Sequence, residues 1–195
     1  MPNQHAGHRH LWPHPRPDRH VWPSHERTLL PADDRCRARG ELPGRGHTAA
    51  MVKVRTARVA DAAAIAVLMT QLGYPCAEGD VAARLGYWVA DPASRVLVAA
   101  QDGLVVGCLS VHAVPYLERT GRWARIESLV VDAAVRGSGA GRALVRTAED
   151  VARQWGCLAM EVTSARTRQG AHAFYERMGY TDMCRRSGRF LKELG

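Results

Sequence analysis

The sequence predicts one α/β domain, in which helices cover a mixed β-sheet. The first observation is an order of four patterns: an apolar strand-like run over 126–131, a glycine-rich loop, an amphipathic helix pattern over 140–155 and a second apolar run over 157–162. A strand, a helix and a strand in this order form a crossover that favours two parallel neighbours. The second observation is an Asp-Gly turn at 102–103 between two further strand-like runs, which predicts an antiparallel hairpin.

Hydrophobic spacing and stop signals place the other elements. Residues 52–59 alternate apolar and basic side chains, as an edge strand does, and Asp61 stands where it can cap the following helix. That helix carries apolar residues three and four positions apart and ends at Gly73. The remaining predicted elements are a helix over 78–89, strands over 95–100, 104–114 and 124–131, a helix over 169–178, and two closing strands around 180–184 and 190–194.

Length and composition bound the class of protein. The chain has 195 residues, of which 46% are hydrophobic and 24% charged, enough for one ordinary domain with a core. Its net charge is +8, to which residues 51–195 contribute nineteen Lys and Arg against fourteen acidic residues. A basic surface of this size suits an anionic cofactor and also nucleic acid, so net charge alone does not decide the function.

No sequence feature directs the chain to a membrane or to an oxidising compartment. No apolar run approaches the roughly 20 residues of a membrane helix, and the N-terminus lacks the apolar region of a signal peptide. The five cysteines are odd in number and lack the Cys-x-x-Cys spacing, so neither a disulfide framework nor a zinc site is indicated. We therefore expect a cytoplasmic protein without a bound metal.

The first fifty residues differ from the rest in composition. They hold seven of the nine histidines and seven of the ten prolines, with little apolar periodicity. Such a segment cannot bury enough apolar area to offset its ordering entropy, and the irregular histidine spacing matches no metal site. We expect 1–50 to be a disordered or extraneous extension and 51–195 to be the folded domain, with Met51 as its natural start.

The most informative motif is the glycine-rich loop over 136–142, RGSGAGR. A helix N-terminus presents unpaired N–H groups and the positive end of the helix dipole, and glycine removes side chains that would block an anion. The loop is therefore predicted to hold a phosphate group. It is not a P-loop, because Arg142-Ala143 stands where Lys-Ser or Lys-Thr is needed. Nor is it a dinucleotide-binding fingerprint, because Arg142 occupies the third glycine position.

Two motifs in this chain together resemble the GNAT superfamily of N-acetyltransferases. Arg136, Gly139 and Gly141 match its Arg/Gln-x-x-Gly-x-Gly/Ala loop, and the segment 171–180, AHAFYERMGY, is similar to its Ala-x-x-Phe-Tyr-Glu-x-x-Gly-Phe helix. The resemblance implies a mixed, mostly antiparallel sheet of about six to seven strands, flanked by about four helices, with a parallel pair splayed at an acetyl-CoA site. It also implies acetyl-CoA as co-substrate.

The resemblance further implies which groups hold acetyl-CoA. Backbone groups of the strand before the loop would bind the pantetheine arm and polarise the thioester carbonyl, and loop N–H groups would bind the pyrophosphate. Arg136 could add charge-assisted contacts or could be a solvated loop arginine. The implied cofactor-binding residues are Leu129, Val130, Val131, Arg136, Gly137, Ser138, Gly139, Ala140, Gly141, Arg142, Ser164 and Phe174.

Glu127 is the candidate general base, since similar enzymes often carry an acidic residue at this strand position. Alternation along the strand would place its side chain with Leu129 and Val131, in a partly buried position. The alternative is a strand carboxylate that pairs with a neighbouring arginine, such as Arg125 or Arg95.

Tyr175 is the candidate general acid, because it matches the family tyrosine that protonates the departing thiolate. The alternative is a core tyrosine that packs beside Phe174. One departure from the family pattern is Arg168, which stands where an asparagine is frequent. Ser164 or Thr163 could replace the missing amide as a hydrogen-bond partner, or could cap the following turn.

These assignments predict an enzyme that transfers an acetyl group to a primary amine of a small molecule or protein by direct attack in a ternary complex. No active-site cysteine is required, and His112 is either a second base or a structural histidine. The acidic residues Glu78, Asp80 and Glu118 suggest a small cationic amine as acceptor. Two alternatives remain: a non-catalytic CoA-sensing module and an acetyltransferase acting on aminoacyl-tRNA. We expect neither a membrane nor nucleic acid as partner. Homodimers are common in the superfamily, so a homodimer is possible by analogy.

Overall fold

A computed structural model describes residues 51–184, 186, 190–192 and 194 of the chain. The predicted extension over 1–50 lies outside the described residues. The elements are β1 (Lys53–Thr56), α1 (Ala62–Leu72), α2 (Glu78–Ala90), β2 (Ser94–Gln101), β3 (Leu104–Pro115), β4 (Arg122–Val131), α3 (Ala140–Gln154), β5 (Cys157–Val162) and α4 (Gln169–Arg177), with single 3-10 turns at Val59–Asp61 and Ala133–Val135.

The five strands form one sheet in the order β1-β2-β3-β4-β5. The first three pairings are antiparallel and the pairing of β4 with β5 is parallel, so the predicted α/β class and the parallel pair are confirmed. The predicted hairpin between β2 and β3 is also confirmed. Its turn residues Asp102 and Gly103 have φ values of 51° and 82°, and positive φ at both central residues matches the twist of a two-residue hairpin.

Helices cover both faces of the sheet and create two cores. On one face α3 buries an apolar stripe of the expected helical spacing against β2, β3 and β4. On the other face α1 and α2 pack together over the same strands. The fully buried α3 residues are Ala140, Leu144, Val145, Ala148 and Ala152, and the core under α1 and α2 includes Ile65, Leu68, Val81, Leu85, Val98, Cys108 and Val130.

The prediction of two closing strands is wrong for the described residues, where the sheet has five strands rather than six or seven. Tyr180 and the residues after it enter a turn: the Asp182 carboxylate accepts a hydrogen bond of 2.9 Å from the Cys184 N–H, and the Arg186 N–H donates to the Met183 carbonyl at 2.8 Å. The described residues of 190–194 belong to no strand. Consequently β5 is the last described strand, and its apolar run is partly open to solvent, since Leu158 is 65% exposed.

Asp61 has a different role from the predicted cap of α1. Its carboxylate makes no cap to that helix, but receives two hydrogen bonds from the Arg55 guanidinium, at 2.7 and 2.8 Å, and one from the Arg58 N–H at 2.7 Å. The Arg55 hydrogen bond is the main cause that lowers the pKa of Asp61. The residue therefore ties β1 to the turn that precedes α1. Within the described part of the chain, no helix has the length and apolar character needed to cross a bilayer.

Candidate active site

The candidate site is built around the end of β4, where the parallel pair separates. Pairing of β4 with β5 runs from Arg122 to Ile126, which lies opposite Val162, and stops there. Pairing of β4 with β3 continues to Val131, opposite Gly107. The backbone edge of β4 beyond Ile126 is thus free on the β5 side among the described residues, so the parallel pair splays as the resemblance implied. An extended ligand can reach backbone N–H and C=O groups at this edge.

A β-bulge lies where the splay begins. Ser110 of β3 is opposite Ser128, but the next residue, Val111, is opposite Ile126, so Glu127 is the extra residue on β4. A bulge interrupts the alternation of side chains, and the predicted common face of Glu127 with the residues after it is therefore wrong. The sequence does carry a signal of this bulge, because the apolar positions 124 and 126 keep a period of two that is lost before 129–131.

The side chains on either side of the bulge face different cores. Leu129 and Val131 pack against the core beneath α3. Glu127 instead lies beside His112, whose ring is 6.2 Å from that of Trp88 on α2. The Glu127 side chain is 38% exposed, so it is not in the partly buried position that was expected.

Glu127 is held by an arginine that also reaches β5. The Arg125 Nε lies 2.7 Å from Glu127 Oε1, and the His112 Nε2 lies 3.7 Å from the same oxygen. Arg125 donates further hydrogen bonds to the Glu161 carboxylate and, at 3.3 Å, to Thr163 Oγ1. The ion pair of the alternative interpretation is therefore present. Oε2 of Glu127 has no partner among the described residues and can accept a proton or a water-mediated hydrogen bond.

A small cavity of about 100 Å³ lies beside the bulge, between α1, α2 and the sheet. Ser110 and Ser128 lie at its sheet side, with their Oγ atoms 2.7 Å apart in a hydrogen bond. Glu127 does not line the cavity, but it precedes Ser128 and lies 3.7 Å from His112, whose ring is 6.2 Å from that of the lining residue Trp88. The lining residues are Ile65, Met69, Val81, Arg84, Leu85, Trp88, Val96, Cys108, Ser110 and Ser128. Burial raises the pKa of the Cys108 thiol to about 12, so this group is neutral.

The glycine loop has the geometry of an anion cradle. Gly137 and Gly139 have φ values of 90° and 92°, and a Cβ at either would meet no atom within 4 Å, so backbone conformation rather than crowding requires glycine there. The N–H groups of Gly141 and Arg142, in the first turn of α3, donate to no acceptor among the described residues. Free amides at a helix N-terminus favour a negatively charged group.

Helix α4 brings the second family motif against this loop. A Cβ on Gly141 would lie 3.7 Å from the Phe174 ring, so that ring packs on the first turn of α3. The half-buried Tyr175 meets Phe174 and Tyr180 edge to face, at centroid distances of 5.2 and 5.6 Å. Burial raises the pKa of Tyr175 to about 12, against the opposing effect of the Arg168 charge. The hydroxyl therefore carries its proton at neutral pH.

The predicted residues divide between two spaces. Tyr175 and Ser164 line a groove of about 830 Å³ that runs between β5, α4 and 180–184, whereas the small cavity adjoins Glu127. Arg125 lines the groove and also holds Glu127, so it connects the two spaces. Sequence reasoning missed the small cavity and Arg84, because the lining comes from five separate elements.

The end of α1 is tied to the loops on both sides of the splay. The Ala133 N–H, which follows β4, donates to Gln71 Oε1 at 2.9 Å. Arg168 Nη2, which precedes α4, donates to the Leu72 carbonyl at 2.8 Å. The residue that replaces the family asparagine is therefore a link between α4 and α1. The described residues contain no group of three or more His, Cys, Asp or Glu placed to hold a metal ion.

Comparisons with known proteins agree with this architecture. The model of the acetyltransferase (GNAT) family matches residues 62–180. The aminoalkylphosphonate N-acetyltransferase of Salmonella typhimurium (strain LT2) is 34% identical over 114 residues, which are 58% of this chain and 71% of that protein. The glucosamine 6-phosphate N-acetyltransferase of Trypanosoma brucei brucei is 32% identical over 88 residues, 45% of this chain and 58% of that protein.

Solved structures share the fold. The glucosamine-6-phosphate N-acetyltransferase from Arabidopsis thaliana superposes with a TM-score of 0.63 at 20% identity, covering 74% of this chain and 99% of that structure. A GNAT family acetyltransferase from Staphylococcus aureus gives a TM-score of 0.61 at 21% identity, covering 73% of this chain and 98% of the other. The likeness at this identity shows the fold, and the family match covers more than half of the sequence. The chain therefore belongs to the GNAT family of acetyltransferases.

Proposed function

We propose that the chain transfers the acetyl group of acetyl-CoA to the primary amine of a small molecule by direct attack in a ternary complex. The observation that carries the proposal is the splay of β4 from β5 beside a helix N-terminus with free amides. Backbone groups of Leu129, Val130 and Val131 suit the pantetheine arm. The residues that suit the pyrophosphate and its surroundings are Arg136, Gly137, Ser138, Gly139, Ala140, Gly141, Arg142, Ser164 and Phe174.

In this mechanism Glu127 is the general base and acts through its free Oε2. It removes a proton from the ammonium group of the acceptor, directly or through one water molecule. The amine nitrogen then bonds to the thioester carbon, whose oxygen is stabilised by a β4 N–H, and the carbon–sulfur bond breaks. Formation of the amide removes two protons from the ammonium group. Glu127 takes one of them, and the other is matched by the proton that the departing thiolate takes up.

Tyr175 is proposed to stabilise the leaving thiolate. Its pKa of about 12 exceeds that of a thiol, about 8.5, so complete proton transfer to a free thiolate is unfavourable. A hydrogen bond from the hydroxyl to the sulfur as the bond breaks avoids this cost. The second proton, which the acceptor nitrogen loses as the amide forms, can then complete the protonation.

The curated relatives support a small-molecule acceptor rather than a protein. Their names specify an aminoalkylphosphonate and glucosamine 6-phosphate, each an amine with a phosphonate or phosphate group. The small cationic amine suggested by the sequence has less support, because no acidic residue lines the small cavity in the described part of the chain. Asp80 instead accepts a hydrogen bond of 3.3 Å from the Ala77 N–H at the start of α2. We therefore place amines with a phosphonate or phosphate group first.

The proposal is tested by titrating the full chain with acetyl-CoA in a calorimeter and then measuring thiol release with a panel of amines. Micromolar binding and release with one class of amine are the expected results. Binding without turnover of any amine would indicate a CoA-sensing module. Salt-dependent binding of aminoacyl-tRNA, with its acetylation, would indicate the tRNA alternative. Failure to bind acetyl-CoA would contradict the proposal as a whole.

Removal of residues 1–50 is expected to leave activity and thermal stability unchanged. We propose that residues 51–195 contain the catalytic domain, since the family match over 62–180 lies within them. A chain that begins at Met51 is compared with the full chain in kcat/KM and in melting temperature. A drop in either property for the shorter chain would show that the first fifty residues contribute to the domain.

A further inference from the structure

The small cavity beside Glu127 has an uneven distribution of charge. Arg84 is its one charged lining residue within the described part of the chain. Cys108 is neutral there, and the two serine hydroxyls at the sheet side share one hydrogen bond. Arg84 belongs to α2 and is exposed, so its guanidinium stands at the solvent side of the cavity while apolar side chains form the interior. The mouth of the cavity is therefore positive.

No described residue neutralises the Arg84 guanidinium. It makes no ion pair and no hydrogen bond with any described residue, whereas Arg125, Arg153 and Arg166 all contact carboxylates. Five N–H donors in a planar fork match the oxygens of a phosphonate or phosphate, which they bind in pairs. An anionic group of the acceptor would supply the partner that the described residues do not.

We propose that Arg84 binds the phosphonate or phosphate group of the acceptor at the mouth of this cavity, while the amine lies at the Ser128 end beside Glu127. The inference rests on the proposed function, since it assigns the acceptor of the same reaction. It adds a residue that selects the acceptor and a fixed direction in which the acceptor lies. The apolar interior, with Met69 and Trp88, takes the carbon chain.

The size of the cavity bears on the class of acceptor. Its volume is about 100 Å³, and it opens to solvent. The short carbon chain of a two-carbon aminoalkylphosphonate suits this space better than the ring of an aminohexose phosphate. The cavity therefore favours the smaller of the two classes of acceptor named for the curated relatives.

The experiment compares three acceptors with the full chain and acetyl-CoA: 2-aminoethylphosphonate, propylamine and glucosamine 6-phosphate. We expect the highest kcat/KM for 2-aminoethylphosphonate. Arg84→Gln should raise the KM for this acceptor about 10- to 100-fold, the value of a lost charge-assisted pair, and should leave propylamine kinetics and acetyl-CoA affinity unchanged. Arg84→Lys keeps the charge but not the fork, and should restore part of the loss.

Arg146→Gln is the matched control, because Arg146 is an exposed arginine without an ion pair among the described residues, on α3 at the opposite face of the sheet. It should change none of these values.

An equal effect of Arg84→Gln on propylamine and the phosphonate, or no effect on either, would overturn the inference, as would a wild-type preference for glucosamine 6-phosphate. If Arg84→Gln does not fold, the wild-type protein is tested instead, by measuring whether methylphosphonate competitively inhibits propylamine turnover. Absence of this inhibition overturns the inference. Turnover of propylamine without a phosphonate preference refutes the role of Arg84 alone, whereas acetyl-CoA binding without turnover of any amine refutes the proposed function.

Discussion

Replacement of Glu127 by glutamine is expected to lower kcat by about 10²- to 10⁴-fold, the range that a positioned general base contributes. Glutamine keeps the size of the side chain and can still accept a hydrogen bond from Arg125, but it cannot take the proton of the acceptor. The affinity for acetyl-CoA should not change, because Glu127 faces His112 and α2 rather than the glycine loop. Steady-state kinetics and calorimetry on the same preparation measure the two quantities.

Glu161→Gln is the control for this substitution. Glu161 is also a strand carboxylate that receives a hydrogen bond from Arg125, but it lies on β5 and away from the bulge. Its loss perturbs the same arginine without removing the candidate base, so kcat should stay within a few fold of the wild-type value. If the two variants lost activity to a similar extent, the carboxylate of Glu127 would have a structural rather than a catalytic role.

Tyr175→Phe is expected to lower kcat by about 10²-fold or more, since it removes the group that we assign to the leaving thiolate. The KM values of both substrates should change little, because the ring and its contacts with Phe174 and Tyr180 are retained. A pKa of about 12 means that the Tyr175 hydroxyl stays protonated throughout the usual assay range. Deprotonation of Tyr175 should therefore cause no loss of the wild-type rate at alkaline pH within that range. Turnover equal to that of wild type would contradict the assignment.

The same pKa gives Tyr175 a signature in stability. The ordinary tyrosine pKa of about 10 applies to the unfolded chain, and the folded value is about 12. Because the folded state holds the proton more strongly, this contribution to stability is complete below about pH 10 and is lost as the pH rises towards 12. The decrease in melting temperature from pH 9 to pH 11 should therefore be larger for wild type than for Tyr175→Phe. The comparison is needed because burial and Glu149 also raise the pKa of Tyr180, which is present in both proteins.

Local patterns were sufficient to predict the glycine loop and the elements around it. The glycine loop, the start of α3 and the parallel pair all follow from residues that are close in sequence, and Gly139 has the positive φ that a turn before a helix requires. The position of Glu127 could not be predicted in this way. Its side chain is directed by a one-residue shift in pairing with β3, and strand register depends on contacts between distant segments.

The errors at the end of the chain have a similar cause. An apolar run such as that around Tyr180 becomes a strand only if a partner edge receives it, and here hydrogen bonds around Asp182 form a turn instead. The small cavity depends on α1, α2, β2, β3 and β4 together, so Arg84 has no local sequence pattern that marks it. Candidate residues that belong to a local motif could be predicted from the sequence, and candidates that depend on an assembled surface could not.

The attachment of α1 to both sides of the splay has a consequence for cooperativity between the two substrates. Gln71 and Leu72, at the end of this helix, contact the loops that flank the splay, and Ile65 and Met69 of the same helix line the small cavity. If acetyl-CoA holds these loops, as the proposed function requires, it also restrains one wall of the proposed acceptor cavity, and the acceptor then binds to a wall that is already held in place. Thermodynamic linkage makes this assistance mutual, so each substrate should bind more tightly in the presence of the other.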